Sequence, residues 1–309
     1  MSNPDNNKNS TDWRYRPLGW MTAAMARLPF GVLYRIADML FLLLYYLVGY
    51  RRKVIRENLA GSFPEKSRKE LRDIERRFYR NFADYIVETV KLLHVSDKEM
   101  MRRMTFSGVE TIDEALSQGR PVVCYFAHLG NWEWAPSITL WSRLHPSKDA
   151  QFCQIYRPLR NQWFDSLMLR IRGRFGAVSL PKRRSFLDLL RYRKEGMPTV
   201  TGFMSDQSHG DIIHVVSFLN RPTAIITGTE TVCRRLDAFP VYWRMSKPSR
   251  GHYHIDVTPM EADLSREFAL TDLYARMLED NIRENPALWL WSHKRWKHPV
   301  TFEMNGLKA

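Results

Sequence analysis

The sequence predicts an α/β fold: a central, mostly parallel sheet flanked by helices, preceded by an N-terminal hydrophobic membrane-associating helix. Three observations carry this prediction. Short apolar runs bounded by Gly or Pro alternate with helical periods from about residue 109 onward. A long amphipathic helical pattern precedes them. An apolar, Tyr-rich segment near the N-terminus is followed at once by a basic cluster.

In chain order, residues 1–17 form a polar tail and residues 18–60 a membrane-associating helical segment. Apolar residues dominate 18–50, interrupted by Arg27, Arg35 and Asp38. The uncharged stretch 39–50 is shorter than the ~20 residues a spanning helix needs. Three readings stay open: a spanning helix in which Arg35 and Asp38 pair, an interfacial helix or hairpin in one leaflet, and a buried core helix. Tyr34, Tyr45, Tyr46 and Tyr50 suit an aromatic belt, and Arg51, Arg52, Lys53 and Arg56 place the following domain on the cytoplasmic side. No small-residue cleavage pattern follows, so a cleaved signal peptide is not expected.

Residues 61–309 read as the α/β domain. Pro64 opens a helix over about 65–93, with Leu71, Ile74, Phe78, Phe82, Tyr85, Ile86, Val90 and Leu93 at helical steps. Short helices follow at 96–101 and 109–118. Residues 121–127 (PVVCYFA) read as a buried strand. Asn131 is placed as the N-cap of a helix over 132–143. Further strands are expected at 150–156, 198–203, 241–245 and 253–259, and helices at 162–172, 185–194, 229–236 and 270–281.

A net charge of +14 favours an anionic partner. No zinc-finger spacing, RNP-like run or basic coiled coil points to nucleic acid, so none is expected as a partner. The 10 tryptophans, many close to Arg or Lys in the chain, suit a headgroup layer, where amphipathic rings and cationic tips both find partners. Cys124, Cys153 and Cys233 are too far apart for metal-ligand spacing and odd in number, which argues against a disulfide framework.

The chemistry concentrates at 128–133, His-Leu-Gly-Asn-Trp-Glu. His128 follows a predicted buried strand, at the edge where open α/β sheets bind ligands. Gly130 permits a tight turn. The helix expected from Asn131 aims free N–H groups at the same spot. Glu133, in its first turn, is placed to reach back to the imidazole and fix its tautomer, leaving one nitrogen as base. This would suit a hydroxyl attacking a thioester. A histidine satisfied within the core fits the same residues. Asp206 ends another strand and is therefore expected at the same edge of the sheet as His128, where it could orient a substrate or an arginine. The spacing of Asp206, His209, Asp211 and His214 fits no metal pattern, so no metal is expected.

The HX4E spacing of His128 and Glu133 resembles the lysophospholipid acyltransferase superfamily. His128–Glu133 taken with Tyr156-Arg157-Pro158-Leu159-Arg160-Asn161, Asp206-Gln207, Asn285-Pro286 and the Trp289–Lys297 run is similar to the lauroyl/myristoyl acyltransferases of lipid A biosynthesis, over about residues 15–300. The resemblance implies transfer of a fatty acyl chain from acyl carrier protein to a hydroxyl of a lipid A precursor, at the cytoplasmic face of the bacterial inner membrane, with no cofactor. His128 would deprotonate the hydroxyl, Glu133 would support it, and a helix N-terminus or an Arg would hold the oxyanion. Asn131, Arg157, Arg160, Arg174 and Asp206 would contact substrate, although Arg157 could instead pair with Asp165. Arg172, Arg174 and Lys182–Arg184 would offer a basic surface to phosphosugar headgroups, the acidic carrier or anionic membrane lipid. The alternative is an acyltransferase acting on a glycerophospholipid or aminolipid, from acyl carrier protein or acyl-CoA. The family usually has Phe-Phe-Gly-x-Pro where this chain has Phe218-Leu219-Asn220-Arg221-Pro222; Asn tolerates a left-handed backbone, so the turn is expected to survive.

Overall fold

A computed structural model describes residues 15–145, 149–207 and 212–304. The chain opens with α1 (Arg16–Arg27) and α2 (Phe30–Leu42), the latter running on as a π-helical turn over Leu43–Val48. Next come α3 (Arg52–Ser62), α4 (Arg68–Lys91), α5 (Asp97–Arg103), β1 (Met104–Ser107), α6 (Val109–Ser117) and β2 (Val122–Phe126). A 3-10 helix, Trp132–Leu140, leads to β3 (Gln151–Tyr156), α7 (Gln162–Arg172), β4 (Val178–Pro181), α8 (Ser185–Lys194) and β5 (Thr199–Met204). The hairpin β6 (Val215–Phe218) and β7 (Arg221–Ala224) precedes α9 (Gly228–Leu236), β8 (Phe239–Ser249), β9 (His252–Pro259) and α10 (Ala269–Glu284).

Seven strands form one sheet in the order β1-β9-β8-β2-β5-β3-β4. Every pairing is parallel except β8 with β9. The central strand β2 is buried along its whole length. That is why its sequence is a continuous apolar run rather than an alternation.

Helix α4 ties the N-terminal helices to this sheet. A capping box of Ser67 and Glu70 starts it. It carries an apolar stripe and four buried charged side chains, Glu75, Asp84, Glu88 and Lys91. Each has a partner. Lys91 Nζ donates to the carbonyls of Ala26 and Leu28, which closes the end of α1. Arg56 pairs with Glu75 at 2.9 Å. Asp84 accepts from Lys247 and Arg250, and Arg250 also reaches Asp38 on α2 at 2.7 Å. The Tyr34 hydroxyl of α2 donates to Glu88.

The segment Phe30–Val48 is 19 residues long and apolar enough to cross a membrane. One face is spent on the protein: Phe30, Leu33, Ala37, Phe41 and Tyr45 are buried at three- and four-residue steps. The other face presents Met39, Leu42, Leu43, Leu47 and Val48 outward, Leu47 at 80% exposure. Trp20 and Met21 of α1 are exposed as well. A patch of this kind marks an apolar partner surface. The boundary expected near residue 60 lies inside one continuous hydrophobic core, since the buried α2 residues and the sheet belong to the same cluster.

Two local expectations change. The segment after Asn131 is a 3-10 helix and not an α-helix. Pro136 stands in its interior, where it can neither donate a backbone hydrogen bond nor clear the preceding turn. Asn131 does not cap it; its amide is drawn to Glu88 instead. The turn at 219–220 forms as expected, with both Leu219 (φ 51°) and Asn220 (φ 62°) left-handed between antiparallel β6 and β7.

Candidate active site

Strands β2 and β5 are parallel neighbours, with Phe126 opposite Met204. Two residues beyond each, His128 and Asp206 therefore stand side by side at the carboxyl edge of the sheet. His128 Nδ1 lies 2.8 Å from Asp206 Oδ1. The other carboxylate oxygen accepts the His128 backbone N–H at 3.0 Å and the Trp289 indole N–H at 2.9 Å. Asp206 is buried, while 16% of the His128 side chain is exposed. Burial alone would raise the Asp206 pKa, but the facing His128 ring and the donors from His128 and Trp289 outweigh it and hold the carboxyl below its ordinary range. An ionised Asp206 accepts only, so the His128 proton sits on Nδ1 and the Nε2 lone pair faces outward.

The backbone around His128 is fixed from two sides. Gly130 turns the chain at φ +62°, a conformation a side chain would strain. Residues 288–290 then pair with the loop: Gly130 N donates to Leu288 O, and Leu290 N to His128 O, each at 3.0 Å. The Trp132 ring meets the His128 ring edge to face at 5.2 Å and packs on Tyr85 at 4.2 Å. The C-terminal run is thus a strap that holds both members of the dyad. The same strap is anchored to α3, because Asn58 donates to the carbonyls of Trp291 and His293.

Glu133 does not hold the imidazole. Its carboxylate makes a two-pronged bond to Arg172 at the end of α7, at 2.6 and 2.8 Å. Glu133 is 4% exposed. Burial works against the charge on Arg172, yet the facing carboxylate raises its pKa above the ordinary value. The 3-10 geometry explains the change of partner: the tighter turn points Glu133 across to α7 and not back over the strand end.

The remaining expected positions separate into two groups. Arg157 and Arg160 follow β3, the other neighbour of β5, and both are exposed with no ion pair among the described residues. Asp165 does not pair with Arg157; it accepts the Leu159 backbone N–H. Asn131 and Arg174 are spent internally. Asn131 is fully buried and donates to Glu88 at 2.7 Å. Arg174 bonds Val95 O and Asp97. The stretch suspected of metal spacing includes His209 and Asp211, which lie outside the described residues. Its His214 pairs with Asp272 at 2.6 Å and stacks on Phe268. Among the described residues no cluster of ligands could hold a metal ion.

Sequence reasoning missed the pairing of His128 with Asp206, the bond from Trp289, and the role of Arg172 as the partner of Glu133. The sequence puts Asp206 at the same sheet edge as His128, since both closely follow an apolar strand, but does not pair the two. On the α8–α9 side lies an open groove of about 380 Å³, with Phe186, Ile213, Ile225, Ile226 and Val232 between Lys182 and Arg235. Ser205, the residue before Asp206, is tied to the same helix, its hydroxyl bonding that of Thr229 on α9.

A family model described as bacterial lipid A biosynthesis acyltransferase matches residues 10–298. The chain is 24% identical over 278 residues to a lipid A biosynthesis lauroyltransferase of Escherichia coli K12, covering 88% of each chain. It is 23% identical over 255 residues to a lipid A biosynthesis palmitoleoyltransferase of the same organism, covering 80% of this chain and 79% of the relative. A lipid A biosynthesis acyltransferase of Shigella flexneri matches to the same extent.

Proposed function

This chain belongs to the bacterial lipid A biosynthesis acyltransferase family, and from that premise we propose that it moves a fatty acyl chain from the thioester of acyl carrier protein to a hydroxyl of a lipid A precursor, with His128 as general base. The observation that carries the reading is the His128–Asp206 pair at the ends of adjacent strands. The acceptor O–H gives its proton to His128 Nε2 while its oxygen attacks the thioester carbonyl carbon. The C–S bond of the tetrahedral intermediate then breaks, and the thiolate leaves with the proton held on Nε2. Ester and free thiol are the products. Asp206 orients the ring and stabilises its charged form.

Glu133 and Arg172 take a supporting role, as a buried ion pair joining the loop after His128 to α7. Arg157 and Arg160 suit an acceptor that carries phosphate, being exposed cations beyond β3. The groove on the α8–α9 side is a candidate bed for an acyl chain. The outward apolar face of Phe30–Val48 rests in the cytoplasmic leaflet of the inner membrane, while its buried face stays on α4.

Mass spectrometry of lipid A from cells with and without the protein tests the reading. One acyl chain fewer on lipid A when the protein is absent is the expected result. An unchanged lipid A with an altered glycerophospholipid or aminolipid would move the acceptor to another membrane lipid. Reconstitution with acylated carrier protein and with acyl-CoA separates the two donors.

A further inference from the structure

Among the described residues, the only side chain hydrogen-bonded to the reactive nitrogen of His128 is Gln207. Its amide nitrogen lies 3.1 Å from His128 Nε2. With the ring proton held on Nδ1 by Asp206, Nε2 has a lone pair to offer and the amide N–H fills it. A general base must meet the proton it removes at about 2.6–3.2 Å. The acceptor hydroxyl therefore needs the position that the Gln207 amide occupies, and a single lone pair in the ring plane takes one donor well.

We propose that Gln207 is a stand-in for the acceptor hydroxyl: its amide caps the base in the resting enzyme, and only a bound acceptor displaces it. The proposal rests on the reading of His128 as base. Its consequence concerns water. If the base were bare, a water molecule could give a proton to Nε2 while its oxygen attacked the thioester carbonyl. The C–S bond would break, the thiolate would leave with that proton, and the acyl chain would be lost as a free acid. Water brings no binding energy from a lipid, so it competes poorly with the tethered amide. A lipid held along its length displaces the same amide readily. Gln207 thus favours transfer over hydrolysis without contributing to the transfer step.

The test uses Gln207→Met, of similar length without the donor, and Gln207→Asn, whose amide falls short. Diethyl pyrocarbonate acylates an unprotonated ring nitrogen, and peptide mass spectrometry reads its rate at His128 in the full-length protein without substrate. A neutral hydrogen bond of this kind corresponds to about a tenfold change in availability, so labelling of His128 is expected to rise about tenfold in both variants. His214, held by Asp272, serves as reference and is expected to stay constant. Equal His128 rates in wild type and variants overturn the cap, and so does a parallel rise at His214, which would report general loosening. With thioester donor present, the ratio of hydrolysis to transfer is expected to rise about tenfold as well; an unchanged ratio overturns the proposal. Faster His128 labelling with no thioester consumed by any of the proteins would support the cap and overturn the acyl-transfer reading, so the two failures are distinct.

Discussion

Two buried carboxylates bracket the His128 loop, and they are used in opposite ways. Asp206 is remote from His128 in the chain, yet it grips the ring and the backbone of His128 together. Glu133 lies on the loop itself, yet it turns away to Arg172. The first sits beside His128 because parallel strands bring equivalent positions past their ends into contact. The second is carried off by the turn of a 3-10 helix. Asp206 therefore bears on the chemistry of the ring, and Glu133 on the position of the segment that follows it. Nearness in sequence suggested the reverse.

Removing the ring breaks the comparison at its centre and gives the largest effect. His128→Ala is expected to lower transfer per folded molecule by about 10³-fold or more, because general-base catalysis supplies gains of about 10²–10⁴. Asp206→Asn comes next, at about 10²–10³-fold in kcat, since an amide can hold the wrong tautomer in place. Steady-state transfer assays read both. A kcat loss in Glu133→Gln equal to that of Asp206→Asn, in a protein of wild-type stability, would overturn the division of roles.

Glu133→Ala tests the architectural side. It leaves Arg172 charged and largely buried, and breaking such a pair is expected to cost about 3–5 kcal/mol of stability, read by thermal or urea unfolding. The double variant Glu133→Leu with Arg172→Leu removes both charges and is expected to recover most of that loss. Activity per folded molecule in the double variant is expected to remain well above that of Asp206→Asn. If it falls to the same level, Glu133 belongs to the chemistry after all.

The two carboxylates also mark the limit of what could be read from the residues alone. Local period and punctuation located α7 and α8 end to end, the buried run of β2 and the His128 turn with Gly130. The four-residue strands β1, β4, β6 and β7 escaped, being too short to establish a period. Strand order escaped for a deeper reason. That β5, and not β3, lies next to β2 follows from how the crossovers pack, and no residue in either strand encodes it. With β5 unplaced, Asp206 could not be matched to His128, so the nearer acid was chosen. The 3-10 turn was partly legible, since Pro136 is plain in the sequence and cannot sit within a regular helix. The recruitment of Asn131 by Glu88 was not, because it depends on α4 passing behind the loop.

Smaller effects sharpen the role of Asp206. Trp289→Phe keeps the ring and removes one donor to its carboxylate, so kcat is expected to fall about 5- to 10-fold, the equivalent of one charge-assisted hydrogen bond in part compensated by water. The stability of the pair can be read separately through pH. Asp206 has a folded pKa below its ordinary 3.8, because the donors from His128 and Trp289 overcome the burial that would raise it. A carboxyl depressed in this way contributes stability that is fully present above the unfolded value and is lost as pH falls through the folded one. The wild type is therefore expected to lose urea resistance below about pH 4 more steeply than Asp206→Asn, whose amide does not titrate. Glu133→Gln lacks that carboxylate but keeps the His128–Asp206 contact, so it should retain the acid-sensitive step that Asp206→Asn has lost. Parallel curves for wild type and Asp206→Asn would mean that Asp206 gains nothing from its donors on folding, and its claim to be the partner of His128 would fall.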